Sequence, residues 1–148
     1  MDHSGYQRHI FNGAQFKARV EAVSQRVREL NPDFVACRGL SGISVASAVS
    51  YVTGTPMAVV RKPGENPHSE GLVNGPYGMK GRYVIIDDFI SSGDTVDDIM
   101  DAINSDSEEN KCIGIILYSQ TGDSKYNSLH NAKYMSAKLP TYGMGRLI

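Results

Sequence analysis

Phe16, Val20, Val23, Val27 and Leu30 recur at intervals of four, three, four and three, which places them on one face of an amphipathic helix. Asn31-Pro32 predicts its end. Phe34-Val-Ala-Cys37 then reads as a short strand, Arg38-Gly-Leu-Ser-Gly42 as a turn, and Ile43 to Tyr51 as a helix of small residues able to lie close against a sheet. Gly54-Thr-Pro56 breaks that helix before a strand from Met57 to Arg61. Tyr83 to Asp88 is a further strand, Val96, Ile99, Met100 and Ile103 mark another helix, and Ile113 to Tyr118 is a last buried strand. From Thr121 onward the chain is polar and Gly-rich, with no assignable period.

Strands alternating with helices predict an α/β fold, a single domain over residues 1–148 with a parallel sheet flanked by helices. In such sheets ligands gather beyond the carboxyl ends of the strands. Three unusual segments fall there: residues 38–42, residues 62–81 and residues 91–95. The middle one holds three prolines and five glycines without periodicity. It is expected to be a mobile loop, and so long a loop inside a compact domain is usually functional.

The run Tyr83-Val-Ile-Ile-Asp-Asp-Phe-Ile-Ser-Ser-Gly-Asp-Thr95 carries the chemistry. An apolar strand ends in two carboxylates and passes through Ser91, Ser92, Gly93 and Thr95 into a helix, which presents backbone N–H groups and hydroxyls to a phosphate. Carboxylates accept hydrogen bonds and repel anions. Asp87 and Asp88 therefore suit the hydroxyls of a sugar, or the waters of a magnesium ion, and sugar phosphate is the ligand class that satisfies both halves of the segment.

This segment resembles the phosphoribosyl-diphosphate (PRPP) motif of type I phosphoribosyltransferases: an apolar strand, Asp-Asp, three variable residues, Thr or Ser, Gly, one variable residue and Thr. Every fixed position is met, with Ser92 where Thr is commoner. The resemblance covers residues 14 to 118 in order and spacing. It implies that Asp87 and Asp88 hold the ribose hydroxyls, contacting Mg2+ only indirectly through PRPP and water, and that Ser91, Ser92, Gly93, Asp94 and Thr95 cradle the 5-phosphate. Arg38-Gly39 looks like the pyrophosphate loop of adenine phosphoribosyltransferases. Arg61-Lys-Pro-Gly64 is similar to the start of their flexible loop, and His68-Ser-Glu-Gly71 to part of the loop in orotate enzymes. Arg61, Lys62 and His68 would then neutralise the departing pyrophosphate.

The implied reaction displaces pyrophosphate from C1 of PRPP by a ring nitrogen of a nucleobase, under a loop that excludes water. One departure from the pattern is that Glu65 and Asn66 stand where orotate enzymes carry a loop lysine. Another narrows the base. Ser91 occupies the place of an aspartate that handles a base proton in 6-oxopurine enzymes, so an orotate- or adenine-like base fits better. The hood over the base is expected to be short. Phe11, Tyr6, Tyr134 and Tyr142 are candidates for stacking on it, packing being the alternative. Asp94, Asp97 and Asp98 favour a helix N-terminus but repel a phosphate docked there; Asp97 and Asp98 read as solvated helix-start residues.

Composition changes this picture little. The chain has 148 residues, 41% hydrophobic and 21% charged, with a net charge of -1, the profile of a globular domain with a real core. The charge balance argues against general nucleic-acid or membrane-surface binding. Cys37 and Cys112 lie in apolar runs and read as reduced core cysteines, and the N-terminus has no apolar signal core, so a cytoplasmic location is expected. Family likeness implies a homodimer. The rival reading is a PRPP- or nucleotide-binding regulatory protein of the same fold without turnover. A phosphatase using Asp87 as nucleophile is disfavoured, because Phe89 stands where its second acid would be.

Overall fold

The computed structural model describes residues 8–62, 71–90, 93–119 and 139–144. Helices α1 (Arg8–Phe11) and α2 (Gly13–Leu30) precede strand β1 (Phe34–Cys37), helix α3 (Gly39–Thr53) and strand β2 (Met57–Val60). Strands β3 (Val73–Asn74) and β4 (Arg82–Asp87), helix α4 (Asp94–Asp106), and strands β5 (Lys111–Leu117) and β6 (Thr141–Tyr142) follow. They build one six-stranded sheet in the order β3-β2-β1-β4-β5-β6. All neighbours are parallel except β3, which runs antiparallel to β2. No helix among the described residues is long and apolar enough to cross a membrane.

The predicted helix over 16–30 is α2. Its boundaries are set by Asn12, whose side chain accepts from the Gln15 N–H at 3.1 Å, and by Asn31 in the left-handed region at φ 49°, a conformation asparagine tolerates. Alternation along β4 divides the core in two. Tyr83 and Ile85 pack with Phe34, Val96, Ile99 and Ile103 on the α4 face. Val84 and Ile86 pack with Val20, Val23, Val45 and Val49 under α2 and α3. The strand is sealed on both faces until it reaches its acids.

Three expectations change. Residues 38–42 are not a turn: α3 starts at Gly39, with Arg38 extended at its N-cap. A Cβ on Gly42 would come within 3.1 Å of the Cys37 Cβ and 3.2 Å of the Ile86 carbonyl oxygen, so this glycine lets the helix approach the sheet. Residues 71–81 carry β3 and a turn, and only residues 63–70 of the expected loop lie outside the described residues. Finally, the C-terminal stretch contributes β6 as a parallel edge strand, with Ile116 beside Tyr142.

Candidate active site at the carboxyl ends of the strands

β1, β2 and β4 all point the same way, so Arg38, Arg61 and the acid pair emerge at one edge of the sheet. Asp87 and Asp88 are each only 6% exposed. Their carbonyls are held by the N–H groups of Tyr118 and Ser119, at 3.1 and 2.9 Å, which extends the β4–β5 ladder past its last residue. The carboxylates are fixed from their own chain: Asp88 N–H donates to Asp87 Oδ1 at 2.9 Å, and Phe89 N–H to Asp88 Oδ1 at 2.8 Å.

A third tie comes from Ser41 in the first turn of α3, whose hydroxyl donates to Asp87 Oδ1 at 3.3 Å. The Tyr118 hydroxyl in turn donates to the Ser41 carbonyl at 2.9 Å. Ser41 and Tyr118 thus join α3, β4 and β5 around one carboxylate. Neither is a site residue on sequence reasoning; the only local signal is Ser41's place inside the segment 38–42.

Burial first, and the Asp88 carboxylate second, push Asp87 up to about 7, while the Ser41 hydrogen bond pulls it down. Burial and the two acids also raise the Tyr118 phenol. Cys37, beneath Asp87, is pushed up to about 12 by burial and then by Asp87; Cys112 reaches about 12 by burial alone, its contact with Gly114 opposing. Both are free and buried, as core cysteines should be.

On the far side of the pair, Gly93 begins α4 at φ 87° without a side chain to cap it, a backbone form that favours glycine. Asp94 and Thr95 are exposed on the first turn. Ser91, Ser92 and His68 lie outside the described residues, as do Tyr6 and Tyr134. Arg61 is held at the loop base, its N–H donating to the Leu72 carbonyl at 2.8 Å, and Lys62 beside it is exposed. Phe11 is 68% exposed. Tyr142 is committed elsewhere: the Arg26 guanidinium lies 4.5 Å from its ring centroid, and its ring edge packs over Gly114. These are packing contacts.

Arg38 and Asp98 also depart from expectation. Arg38 Nη1 donates to Asp98 Oδ2 at 2.6 Å, so Asp98 is no merely solvated helix-start residue. The pair borders a cleft of about 450 Å³ between α4 and the β2–β3 edge, with Arg61, Val60, Val73 and Asp101 among its walls. Its walls continue along α4 to Ser105 and Asp106, and Asp87 and Asp88 are not among them. Among the described residues, no group of three or more His, Cys, Asp or Glu side chains is arranged to hold a metal ion by itself.

A family model, the phosphoribosyl transferase domain, matches residues 7–139. The chain belongs to that family. It is 27% identical over 103 residues to an adenine phosphoribosyltransferase of Desulfitobacterium hafniense, covering 57% of each. With an orotate phosphoribosyltransferase of Methanosarcina acetivorans it is 32% identical over 92 residues, 62% of this chain and 48% of that one. The transcriptional regulator GfcR of Methanocella arvoryzae is 30% identical over 108 residues, 67% of this chain and 52% of its own. The chain thus spans about half the length of the curated relatives it matches. In fold it is similar to orotate phosphoribosyltransferase from Aeropyrum pernix, with TM-score 0.70 at 12% identity over 95% of this chain and 76% of that one.

Proposed function

We propose that the protein transfers the 5-phosphoribosyl group of PRPP to a ring nitrogen of a nucleobase, orotate- or adenine-like in preference to a 6-oxopurine, with release of pyrophosphate. The observation that carries this reading is the buried Asp87–Asp88 pair at the end of β4, set between Arg38 and the glycine-started helix α4. Two desolvated carboxylates beside a helix N-terminus match a ligand with hydroxyls at one end and a phosphate at the other.

In this reading the ribose hydroxyls donate to Asp87 and Asp88. As the bond from C1 to the diphosphate oxygen breaks and the bond from C1 to the base nitrogen forms, positive charge grows on the ribose, and the fixed carboxylates below it are complementary to that charge. The Ser41 hydroxyl orients Asp87. Arg38, Arg61, Lys62 and His68 take the charge of the departing pyrophosphate, residues 62–70 close over the site to exclude water, and the nitrogen's proton leaves to base or solvent. Magnesium fits here as an ion bound chiefly by PRPP and water, offsetting the repulsion between adjacent acids and the diphosphate; it would supply charge neutralisation of the leaving group. A homodimer is part of the proposal, supported by the outer face of α3, a helix without charged residues that leaves Leu40, Ile43 and Tyr51 exposed. The setting proposed is the cytoplasm.

The deciding experiment is magnesium-dependent pyrophosphate release from PRPP against orotate, uracil, adenine, hypoxanthine, guanine, xanthine and nicotinate, with Asp87→Asn/Asp88→Asn as control. Release with one base, and none from the control, is expected. A second reading, a PRPP- or nucleotide-binding regulator without turnover, draws support from the regulator among the relatives and from Arg38 being engaged by Asp98. It predicts that PRPP raises the melting temperature while no base releases pyrophosphate.

A further inference from the structure

Arg38 and Asp98 stand 60 residues apart in the chain and meet at 2.6 Å beside the cleft. Their environments differ sharply. The Arg38 side chain is 9% exposed and the Asp98 side chain 57%, and Arg38 Nε is buried without a hydrogen-bond partner. The guanidinium has therefore already left water, with donors to spare, while the carboxylate still has solvent available. A planar fork of N–H donors suits two-point binding of a diphosphate, yet one of its nitrogens is held by an anion of the protein's own.

We infer that Asp98 sets the affinity for the diphosphate of PRPP by competing with it for the Arg38 guanidinium; this rests on the phosphoribosyltransferase reading above. Arg38 cannot retreat into water without leaving its burial, whereas Asp98 can rotate outward and be rehydrated cheaply. The exchange therefore runs one way. The diphosphate replaces the carboxylate on a guanidinium that stays in place, and the orphaned Nε gains an acceptor. Asp98 is in this sense a tuning residue acting through Arg38, not a catalytic one.

The test is calorimetric titration of magnesium PRPP into the full chain and its Asp98→Asn, Arg38→Met and double variants, with thermal melts to verify folding. Asp98→Asn should bind roughly fivefold more tightly, the scale of a half-exposed ion pair. In the Arg38→Met background the same change should have no effect. If Arg38→Met does not fold, Arg38→Gln, which keeps a donor without the charge, takes its place. If Arg38→Met abolishes measurable binding, Arg38→Gln likewise takes its place as the background in which the effect of Asp98→Asn must vanish. Tightening that persists without Arg38 would mean a general charge effect and overturn the inference. Unchanged or weaker binding by Asp98→Asn overturns it and leaves the transferase reading standing. No PRPP binding by wild type and Asp98→Asn alike defeats both; binding by Asp98→Asn alone upholds the inference.

Discussion

The two ends of β4 use the same functional group to opposite purposes. At the amino end, exposed Asp33 accepts from the Arg82 N–H through Oδ2 at 2.8 Å while its own N–H donates to the Arg82 carbonyl at 2.8 Å. That carboxylate stays in water and adds a hydrogen bond to the sheet edge. At the carboxyl end, Asp87 is buried against a second acid and raised to about 7. It costs the fold stability whenever it is ionised. A charge at the amino end serves the strand, and a charge at the carboxyl end is, in the proposed function, the group that the ribose hydroxyls use.

The largest expected effect falls at the carboxyl end. Asp87→Asn/Asp88→Asn should lower PRPP-dependent turnover by about 10²-fold or more, since two charge-assisted hydrogen bonds to the ribose are lost. Steady-state pyrophosphate release measures this, and a loss under tenfold would break the contrast.

Stability should move the other way. Asp87's folded value lies above its ordinary 3.8, so the native state holds a proton that the unfolded chain has released between those values. This contribution to stability falls as pH rises from about 4 through about 7 and is flat above. Asp87→Asn should therefore match wild type near pH 4 and exceed it near pH 8 by on the order of 3 kcal/mol. Urea titrations at the two pH values decide, and a pH-independent difference would remove the cause assigned to burial.

Gly81→Ala probes the amino end. Gly81 sits at φ 128°, and an added Cβ would collide with the Asp33 carboxylate, so a loss of about 2 kcal/mol in unfolding free energy is expected with PRPP affinity unchanged. An affinity change of tenfold there would show that the two ends are coupled. The smallest effect belongs to Ser41→Ala. Removing a hydrogen bond that lowers Asp87 should raise its pKa further and weaken PRPP binding about threefold to tenfold, more at neutral than at high pH. A pH profile of binding identical to wild type would show that Ser41 does not act through Asp87.

Much of the fold can be read locally. The 16–30 periodicity corresponds to α2, the apolar runs from Phe34 and Tyr83 are β1 and β4, and Val96, Ile99, Met100 and Ile103 all face the core from α4. The failures have particular causes. Gly42 resembles a turn residue because only the neighbouring Cys37 and Ile86 reveal that a glycine is needed for close approach, while Gly39, with open space around it, is a glycine for its φ of 73° at the start of α3. β3 and β6 are two residues each, too short for any period, and exist because β2 and β5 offer edges to pair with.

By itself the sequence determined the strand that ends in two acids, the glycine that starts α4 and the order of strands and helices around them, because these depend on alternation, breakers and turn chemistry within a dozen residues. Tertiary structure alone decided that Ser41 reaches Asp87, that Tyr118 braces Ser41, and that Asp98 holds Arg38. Those pairs are separated by 46, 77 and 60 residues, and no local pattern encodes them. They form only once parallel pairing brings the strand ends together.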